Sequence, residues 1–488
     1  MHMPGHKGGP GASALARSLL GQAAFHADVS EMGGYDYLHA PEGALAEAQA
    51  AAAALFGAEQ TFFLVNGSTV GNQAAILACC GDGDALVMLR GSHRSVYAGA
   101  MLAGAVPSYV PMEYDVERDG WFLGDVSALT SLADRSRPSG LSGLTGPLGP
   151  FGGRLAAVHV TRPNYYGMAA DLAPWVEFAH ERGVPLIVDE AHGSHFGFDS
   201  RLPASALSLG ADIVIQSTHK TLGALTQASM LHVGIGAGGR VDAGRIARAL
   251  QMLQSSSPSA LLTISLDLAR DALETAGAAA LDGVIDLAQT LRGAAALLPG
   301  FSPVRTDDLT KVVIDVAGTG RSGFAVAVAL RSEEGVWVEL ADFRRIVLSI
   351  TAGDDSDSVA IVAEALRRVH ARGSSEATVP NATVAANAPS APAAPDPDRP
   401  LPSMPLPAMV VPLRRAERAP DEVVGLGRAV GRVVAEFVIP YPPGIPLVVP
   451  GERIDNEVLA ALARFIEAGC RIVGPHDPTL GTLRVILE

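Results

Sequence analysis

Short apolar runs alternate with helix-forming stretches along the first 260 residues, and each apolar run ends in a polar cluster. Strands separated by helical segments favour a mostly parallel sheet with helices on both faces. In such a sheet ligands bind at the carboxyl ends of the strands, which is where the polar clusters fall. The runs and their polar ends read TFFLVNGSTVGN from Thr61, DALVMLRGSHRSVYAG from Asp84, LAAVHVTRPNYYG from Leu155, VPLIVDEAHGSHFG from Val184 and ADIVIQSTHKTLGAL from Ala211.

The pattern changes after residue 260 and again after residue 373. Strand-like runs with one intervening helix predict a smaller α+β unit, and the following Ala-, Pro- and Ser-rich stretch has too little apolar content to order itself. Another compact α+β module follows. We therefore predict an N-terminal arm (1–42), an α/β large domain (43–260), a small α+β domain (261–373), a disordered Ala/Pro linker (374–402) and a C-terminal module (403–488).

Charge and composition narrow the possible partners. A formal net charge of −15 argues against nucleic acid and anionic membranes as partners, and slightly favours a cationic small molecule. No uninterrupted apolar stretch reaches the roughly 18 residues of a membrane span, and the N-terminus lacks the apolar core of a signal peptide. Three cysteines form neither a disulfide framework nor a zinc-ligand spacing, which favours a cytoplasmic protein.

Lysine is rare in this chain, and one lysine stands at a strand end. Only three of the 36 basic residues are lysines, namely Lys7, Lys220 and Lys311. Lys220 follows an apolar run and the string Ser217-Thr218-His219. An ammonium can lose its proton and attack a carbonyl, whereas a guanidinium cannot. A lysine that merely extends towards solvent is the ordinary alternative, but the scarcity of lysine favours a covalent role for Lys220.

Two further strand ends supply groups that a pyridoxal phosphate cofactor requires. Asp189 ends the run VPLIVD, where it could cap a helix or hold a pyridine nitrogen protonated. The turn NGSTVGN offers Gly67, Ser68 and Thr69 at a strand-to-helix junction, which suits a phosphate as well as an ordinary helix cap. Ser217 could add a hydroxyl.

The histidines near these strand ends allow more than one interpretation. His93, after a third strand, could stack on a flat ring or cap the following helix. His192, His195, Glu190 and His219 suggest a metal site, but no HExxH or comparable spacing is present. We therefore predict no metal, and a ring cofactor explains the same residues better.

Seven motifs occur in the order typical of one family: MPGHKGG (Met3–Gly9), YDYLHAPEG (Tyr35–Gly43), NGSTVGN (Asn66–Asn72), RGSHRSVYAG (Arg90–Gly99), VDEAHGSHFGF (Val188–Phe198), QSTHKTLGALTQASMLHV (Gln216–Val233) and YPPGIPLVVPGE (Tyr441–Glu452). With these motifs the chain resembles the pyridoxal-phosphate-dependent ornithine/lysine/arginine decarboxylases of the aspartate-aminotransferase fold. The resemblance implies an α/β fold: a mostly parallel seven-stranded large domain of the pyridoxal-phosphate-transferase type, a small α+β domain and a C-terminal α+β decarboxylase domain. It also implies decarboxylation of lysine, ornithine or arginine in polyamine metabolism.

Carried over residue by residue, the resemblance assigns roles in the site. Lys220 would anchor the cofactor with His219 beside it near the phosphate, and Asp189 would pair with the pyridine nitrogen. Ala191 would lie against one face of the ring and His93 against the other. The remaining groups are the phosphate ligands Ser68, Thr69 and Ser217 beside Gly67, His192 near the reacting carbon or the substrate carboxylate, and Glu452 near the distal amino or guanidino group. A homodimer or higher oligomer with shared active sites is also implied.

The chain departs from the family pattern in one motif, and its residues also suit other functions. Arg162 and Asn164 stand in TRPNYYG, where the family has threonine before Tyr-Tyr-Gly. Because the chain begins almost at MPGHKGG, we expect the accessory N-terminal domain of large members to be missing.

An aminotransferase, a carbon–sulfur lyase or an aldolase could use Lys220 and Asp189 equally. An aminotransferase would need a cationic clamp, for which Arg344 or Arg345 is available, and a catalytically silent regulator is the non-enzymatic alternative.

Overall fold

The computed structural model describes residues 2–32, 34–110, 112–115, 120–122, 153–373, 404–441, 444–467 and 470–487. The predicted linker, 374–402, lies outside the described residues. The helices are α1 (Ala14–Ala27), α2 (Ala44–Phe56), α3 (Gly67–Cys79), α4 (Arg94–Ala103), α5 (Ala173–Glu181), α6 (Thr218–Thr221), α7 (Ala243–Leu253), α8 (Ala260–Ala296), α9 (Gly323–Glu334), α10 (Ser356–Gly373), α11 (Leu413–Glu417) and α12 (Asn456–Glu467).

The strands of the first half are β1 (Ala58–Leu64), β2 (Ala85–Leu89), β3 (Val106–Val110), β4 (Glu113–Asp115), β5 (Gly120–Phe122), β6 (Leu155–Thr161), β7 (Leu186–Asp189), β8 (Ile213–Gln216) and β9 (Ser229–Gly234). Those of the second half are β10 (Ser302–Val304), β11 (Lys311–Asp315), β12 (Leu340–Ala341), β13 (Arg345–Ser349), β14 (Asp421–Gly425), β15 (Ile439–Tyr441), β16 (Arg471–Val473) and β17 (Thr482–Ile486).

The apolar runs of the first half form one seven-stranded sheet in the order β1-β9-β8-β7-β6-β2-β3. Strand β9 is antiparallel to both of its neighbours, and all other pairs are parallel. Val188 and Val214 point into one apolar cluster, whereas Ile187 and Ile213 point into the cluster on the opposite face. Burial on both faces explains why these strands are continuous apolar runs. The predicted mostly parallel large-domain sheet is confirmed.

Helix α3 lies unusually close to this sheet because of a glycine. A β-carbon on Gly71 would lie 2.7 Å from the Ile215 side chain and 2.9 Å from that of Leu64. Real β-carbons do not approach other atoms so closely, so an alanine here would push α3 off the sheet. The close packing places the first turn of α3 directly beside the end of β8.

Helix α8 connects two cores. Leu266 and Leu273, in its first half, belong to the large-domain cluster, whereas Val284 and Leu291 belong to the cluster of the small domain. The small domain is a four-stranded antiparallel sheet in the order β10-β11-β13-β12. Helix α9 and the second half of α8 pack on this sheet, and α10 packs against these two helices. The change from one core to the next therefore falls within α8, about twenty residues after the predicted boundary at 260/261.

The C-terminal module has its own apolar cluster and also joins that of the large domain. Two-stranded sheets, β14-β17 and β15-β16, and helix α12 surround its core. Met409, Leu413 and Val449 are buried in the same cluster as Val96 and Tyr97 of α4. The module is thus packed against the large domain. In the described parts of the chain, no helix combines the length and apolar character needed to cross a membrane.

Candidate active site

The polar clusters predicted at the strand ends meet at one edge of the large sheet. Asp189 is the last residue of β7 and lies in register between Thr161 of β6 and Ile215 of β8. Lys220 lies in α6, the single helical turn that begins two residues after β8. Since the three strands are parallel and adjacent, their carboxyl ends bring these side chains together.

Lys220 and His192 are in direct contact. Lys220 Nζ lies 3.0 Å from His192 Nε2, and the Tyr165 ring lies edge-on to His192 with centroids 4.8 Å apart. Burial lowers the pKa of Lys220, although the charge of Asp189 acts in the opposite direction. A larger fraction of Lys220 is therefore neutral amine near neutral pH than for a lysine in solution. Burial and the charge of Lys220 lower the pKa of His192 well below its ordinary value. His192 is therefore a neutral imidazole that accepts a hydrogen bond from Lys220.

The Asp189 carboxylate is held from two sides and is 3% exposed. Its Oδ2 accepts a hydrogen bond from the Asn72 amide at 2.8 Å, and its Oδ1 accepts one from the Ala191 N–H at 3.1 Å. Asn72 is itself oriented, because its amide also donates to Ser95 Oγ at 3.0 Å and its oxygen lies 3.3 Å from His159 Nε2. A carboxylate fixed in this way can hold a cationic N–H group in one direction.

His93 follows β2 and caps α4. Its Nδ1 accepts a hydrogen bond from the Ser95 N–H at 3.3 Å and lies 2.8 Å from Ser95 Oγ. The helix-cap interpretation is therefore confirmed, and the cap uses one ring nitrogen of His93. Ser95 also binds Asn72, so His93 and Asp189 belong to one hydrogen-bonded network.

Hydroxyl groups gather at the first turn of α3. Ser68 Oγ lies 2.7 Å from Ser217 Oγ and 3.4 Å from Ser229 Oγ, and Thr69 in the same turn is exposed. Gly67 has a φ of +71°, a left-handed conformation that glycine adopts without strain. The helix N-terminus and these hydroxyls form an anion site of the kind that binds phosphate.

His219 is oriented by the backbone. Its Nδ1 donates a hydrogen bond to the Ala228 carbonyl oxygen at 2.9 Å, which leaves Nε2 as an acceptor. Burial lowers the pKa of His219, so the ring is mostly neutral near neutral pH. The backbone of His219 follows Ser217 by two residues, which places it beside the hydroxyl cluster.

These residues fit pyridoxal phosphate. Lys220 supplies an amine with a lowered pKa, Asp189 a fixed carboxylate, and the first turn of α3 an anion site. His192 adds a further observation, because its buried Nδ1 has no hydrogen-bond partner among the described residues. A buried polar atom of this kind indicates that another group belongs nearby.

The four residues considered as metal ligands have separate partners. Glu190, whose pKa burial raises to about 7, accepts hydrogen bonds from Arg162, Gln216 and the Ala206 N–H. His195 Nε2 lies 3.0 Å from Asp308 of the small domain. Across the described ranges, no group of three or more His, Cys, Asp and Glu residues is arranged to hold a metal ion.

The two departures from the family pattern have structural explanations. Arg162 donates to the buried Glu190 carboxylate and to the Ala170 and Ala204 carbonyls, so it neutralises a charge inside the large domain. Asn164 Oδ1 accepts hydrogen bonds from the N–H groups of Tyr166 and Met168, both at 3.0 Å. Asn164 thus shapes the turn that carries Tyr165.

Glu452, which the resemblance places near the distal group of the substrate, forms a buried ion pair with Arg90 in this structure. Glu452 is fully buried, and its two carboxylate oxygens accept hydrogen bonds from Arg90 at 2.6 and 2.8 Å. The Val449 N–H donates to the same carboxylate, and Arg90 also donates to the Pro446 and Leu447 carbonyls. The geometry gives Glu452 a structural role, in which it ties the C-terminal module to the loop between β2 and α4.

Neither candidate clamp of an aminotransferase is available. Arg344 pairs with Asp315 at 2.8 Å, and Arg345 is 3% exposed and pairs with Asp342 at 3.0 Å. A substrate carboxylate would have to displace an existing partner in either case. This arrangement disfavours the aminotransferase alternative.

Four residues of the site were not assigned from the sequence. Asn72 and Ser95 stand inside the quoted motifs NGSTVGN and RGSHRSVYAG, and Tyr165 stands inside TRPNYYG. The available signal for Asn72 was that a polar residue stands about one turn into α3. At that position its side chain would face the strand ends. Arg90 begins the motif RGSHRSVYAG at the end of a strand, but neither feature indicated Glu452 as its partner.

Comparisons with known proteins agree with this geometry. Residues 1–312 match the family model described as Orn/Lys/Arg decarboxylase, major domain, and residues 409–473 match that of the C-terminal domain. An arginine decarboxylase of Bacillus subtilis (strain 168) is 35% identical over 505 residues, covering 100% of this chain and 94% of the relative. One from Bacillus anthracis is 34% identical over 511 residues with the same coverage. In fold, the solved lysine decarboxylase A from Pseudomonas aeruginosa is similar, with a TM-score of 0.80, 21% identity, and coverage of 100% of this chain and 78% of that chain.

Proposed function

The chain belongs to the Orn/Lys/Arg decarboxylase family and is a pyridoxal-phosphate-dependent decarboxylase, and from this premise we propose that it converts arginine to agmatine and carbon dioxide. The observation that carries the choice of arginine is the similarity over the whole chain to two arginine decarboxylases, at 35% and 34% identity. Agmatine is a diamine-like product, so we place the reaction in polyamine metabolism.

The residues of the site would hold the cofactor in one orientation. Lys220 would be its covalent anchor, and the first turn of α3 with Ser68, Thr69 and Ser217 would bind its phosphate. Asp189 would keep the pyridine nitrogen protonated, while His93 and Ala191 would lie on opposite faces of the ring. When bound, pyridoxal phosphate supplies the electron sink that accepts the electrons left by the departing carbon dioxide.

Lys220 is the better placed of two candidate proton donors to Cα. His192 is neutral because its pKa is well below its ordinary value, and its Nε2 accepts a hydrogen bond from Lys220, so the single ring proton lies on Nδ1 and Nε2 has none to give. Lys220 Nζ, 3.0 Å away, carries protons and hydrogen-bonds to that Nε2. We therefore propose that Lys220 returns the proton to Cα, and that His192 orients the Lys220 amine.

A substrate comparison tests the proposed reaction. The purified protein, supplied with pyridoxal phosphate, is incubated separately with arginine, ornithine and lysine, and carbon dioxide, amine and keto acid are measured. We expect carbon dioxide and agmatine from arginine with a kcat/KM at least about tenfold above that for the other two substrates. Keto acid without carbon dioxide would contradict decarboxylation, and a preference for lysine or ornithine would contradict the choice of arginine.

We also propose that the chain forms a homodimer or a higher oligomer with shared active sites. Helix α1 supports this proposal, because it exposes Leu15, Leu19 and Leu20 to 68%, 74% and 64%. Adjacent exposed leucines of this kind mark a surface that another chain covers. Light scattering should give at least twice the 50.2 kDa of one chain, and Leu19→Lys should lower that mass. A mass of one chain at micromolar concentration would contradict the proposal.

A further inference from the structure

Glu339 is an exposed carboxylate of the small domain whose charge acts on Lys220. Among the described residues it makes no hydrogen bond or ion pair through its carboxylate, and it is more than one third exposed. The other carboxylates near Lys220 are engaged, since Asp189 binds Asn72 and Glu190 binds Arg162. Glu339 therefore offers a negative charge that nothing else in the described chain uses.

The backbone holds Glu339 at the face of the small domain that meets the Tyr165 turn. Its N–H donates to the Val347 carbonyl at 2.8 Å, and the next residue, Leu340, packs with Val347 and Tyr166 in one apolar cluster. Tyr166 also donates to Asp342 at 2.7 Å. The segment that carries Glu339 is therefore fixed against the residue that follows Tyr165, whose ring lies 6.0 Å from Lys220 Nζ.

The charge of Glu339 reaches several groups of the site. Burial is the main cause of the lowered pKa of Lys220, and Glu339 acts in the opposite direction together with Asp189. Burial raises the pKa of Tyr165 to about 12, and the Glu339 charge adds to that effect. Burial likewise raises the pKa of Tyr441, in the motif YPPG of the C-terminal module, and Glu339 contributes again.

Lys311 does not neutralise this carboxylate. Lys311 is 2% exposed, and its ammonium donates to Ser349 Oγ at 2.9 Å rather than to Glu339. Lys311 is buried within the small domain, whereas Glu339 is exposed to solvent. A cation that entered from solvent would thus meet an unoccupied carboxylate before it met a buried ammonium.

We propose that Glu339 is a specificity residue that binds the distal cationic group of the substrate, a guanidinium in the case of arginine. The inference rests on the proposed function, because a basic amino acid is the ligand whose far end carries a positive charge. A guanidinium and a carboxylate form paired, charge-assisted hydrogen bonds. This interaction is remote from the reacting bond and is the same in the ground state and the transition state, so it lowers KM and leaves kcat unchanged.

The test compares Glu339→Gln with Glu339→Asp and with the control Glu333→Gln. Glu333 is another exposed glutamate of the small domain, in α9, and it pairs with Arg372 of α10. We expect Glu339→Gln to raise KM for arginine about 10- to 100-fold with kcat unchanged, and to raise the Kd of agmatine, measured by calorimetry, by a similar factor. Glu339→Asp should recover part of the loss, and Glu333→Gln should match the unchanged enzyme.

The outcomes separate this inference from the proposed function. If the unchanged enzyme prefers lysine but Glu339→Gln raises KM for lysine, cation binding by Glu339 is supported and the choice of arginine is wrong. If arginine is decarboxylated and Glu339→Gln leaves both KM and the agmatine Kd unchanged, the inference is overturned. A change in kcat and its pH profile with unchanged KM would also overturn it, because Glu339 would then act through the charge of Lys220.

Discussion

Replacing Lys220 with alanine should abolish covalent attachment of the cofactor and lower kcat at least about a thousand-fold. The physical reason is that Lys220 provides an amine at a fixed position, and an amine in solution does not reach the effective concentration of a positioned group. Its lowered pKa contributes, because the neutral amine is the form that attacks a carbonyl. The same residue is the proposed proton donor, so both the attachment and the protonation of Cα would be lost.

The scarcity of lysine makes this experiment unusually clear. Borohydride reduction of the loaded protein should fix the cofactor to a single peptide that contains Lys220, which mass spectrometry identifies. Lys7→Ala is the matched control, since Lys7 lies in the N-terminal arm and its loss should leave both the labelled peptide and kcat unchanged. Labelling of Lys311 or Lys7, or a visible cofactor band that persists in Lys220→Ala without added amine, would contradict the assignment.

Asp189→Asn should lower kcat by about 100- to 5000-fold while the cofactor remains attached. Removal of one member of a buried charge pair costs about 3 to 5 kcal/mol, which corresponds to a rate factor of that order. Asparagine keeps the size of the side chain, but its single amide oxygen can replace only one of the two carboxylate oxygens that accept from Asn72 and Ala191. The loss would therefore report the missing charge, which we propose keeps the pyridine nitrogen protonated, together with one lost hydrogen bond.

The control for this variant is Asp199→Asn. Asp199 is an aspartate near the surface that pairs with Arg201, and its loss should change kcat less than about twofold because surface ion pairs contribute little. The absorbance spectrum of the loaded Asp189→Asn protein should shift, whereas that of Asp199→Asn should not. An Asp189→Asn variant with unchanged kcat and spectrum would show that the carboxylate does not pair with the pyridine nitrogen.

The strand ends were predictable from sequence because each chemical group there follows a continuous apolar run. Lys220, Asp189 and His192 come together through the order of parallel strands, and that order follows from the alternation of strands and helices. The hydroxyl cluster was predictable as well, since Ser68 and Ser217 each begin a helical turn after a strand.

The contacts that orient these groups were not predictable. Asn72 reaches Asp189 across 117 positions of the chain, and it does so because Gly71 lets α3 approach the sheet closely. Glu452 was expected near the substrate, but its partner proved to be Arg90, which lies 362 positions away. Glu339 carried no motif, and its importance depends on how the small domain packs against the Tyr165 turn. Each case depends on the packing of separate elements, which periodicity does not specify.

The Arg90–Glu452 pair also has a consequence for the order in which the protein is made. During synthesis the large-domain strands leave the ribosome long before Glu452 is added, so the growing chain carries Arg90 without its partner. Leaving a guanidinium buried without a carboxylate is strongly unfavourable, so the loop that holds His93 should stay open until the C-terminal module has folded. A nascent chain would then become active only after the C-terminal module had emerged and folded, and a chain terminated before Glu452 would remain inactive.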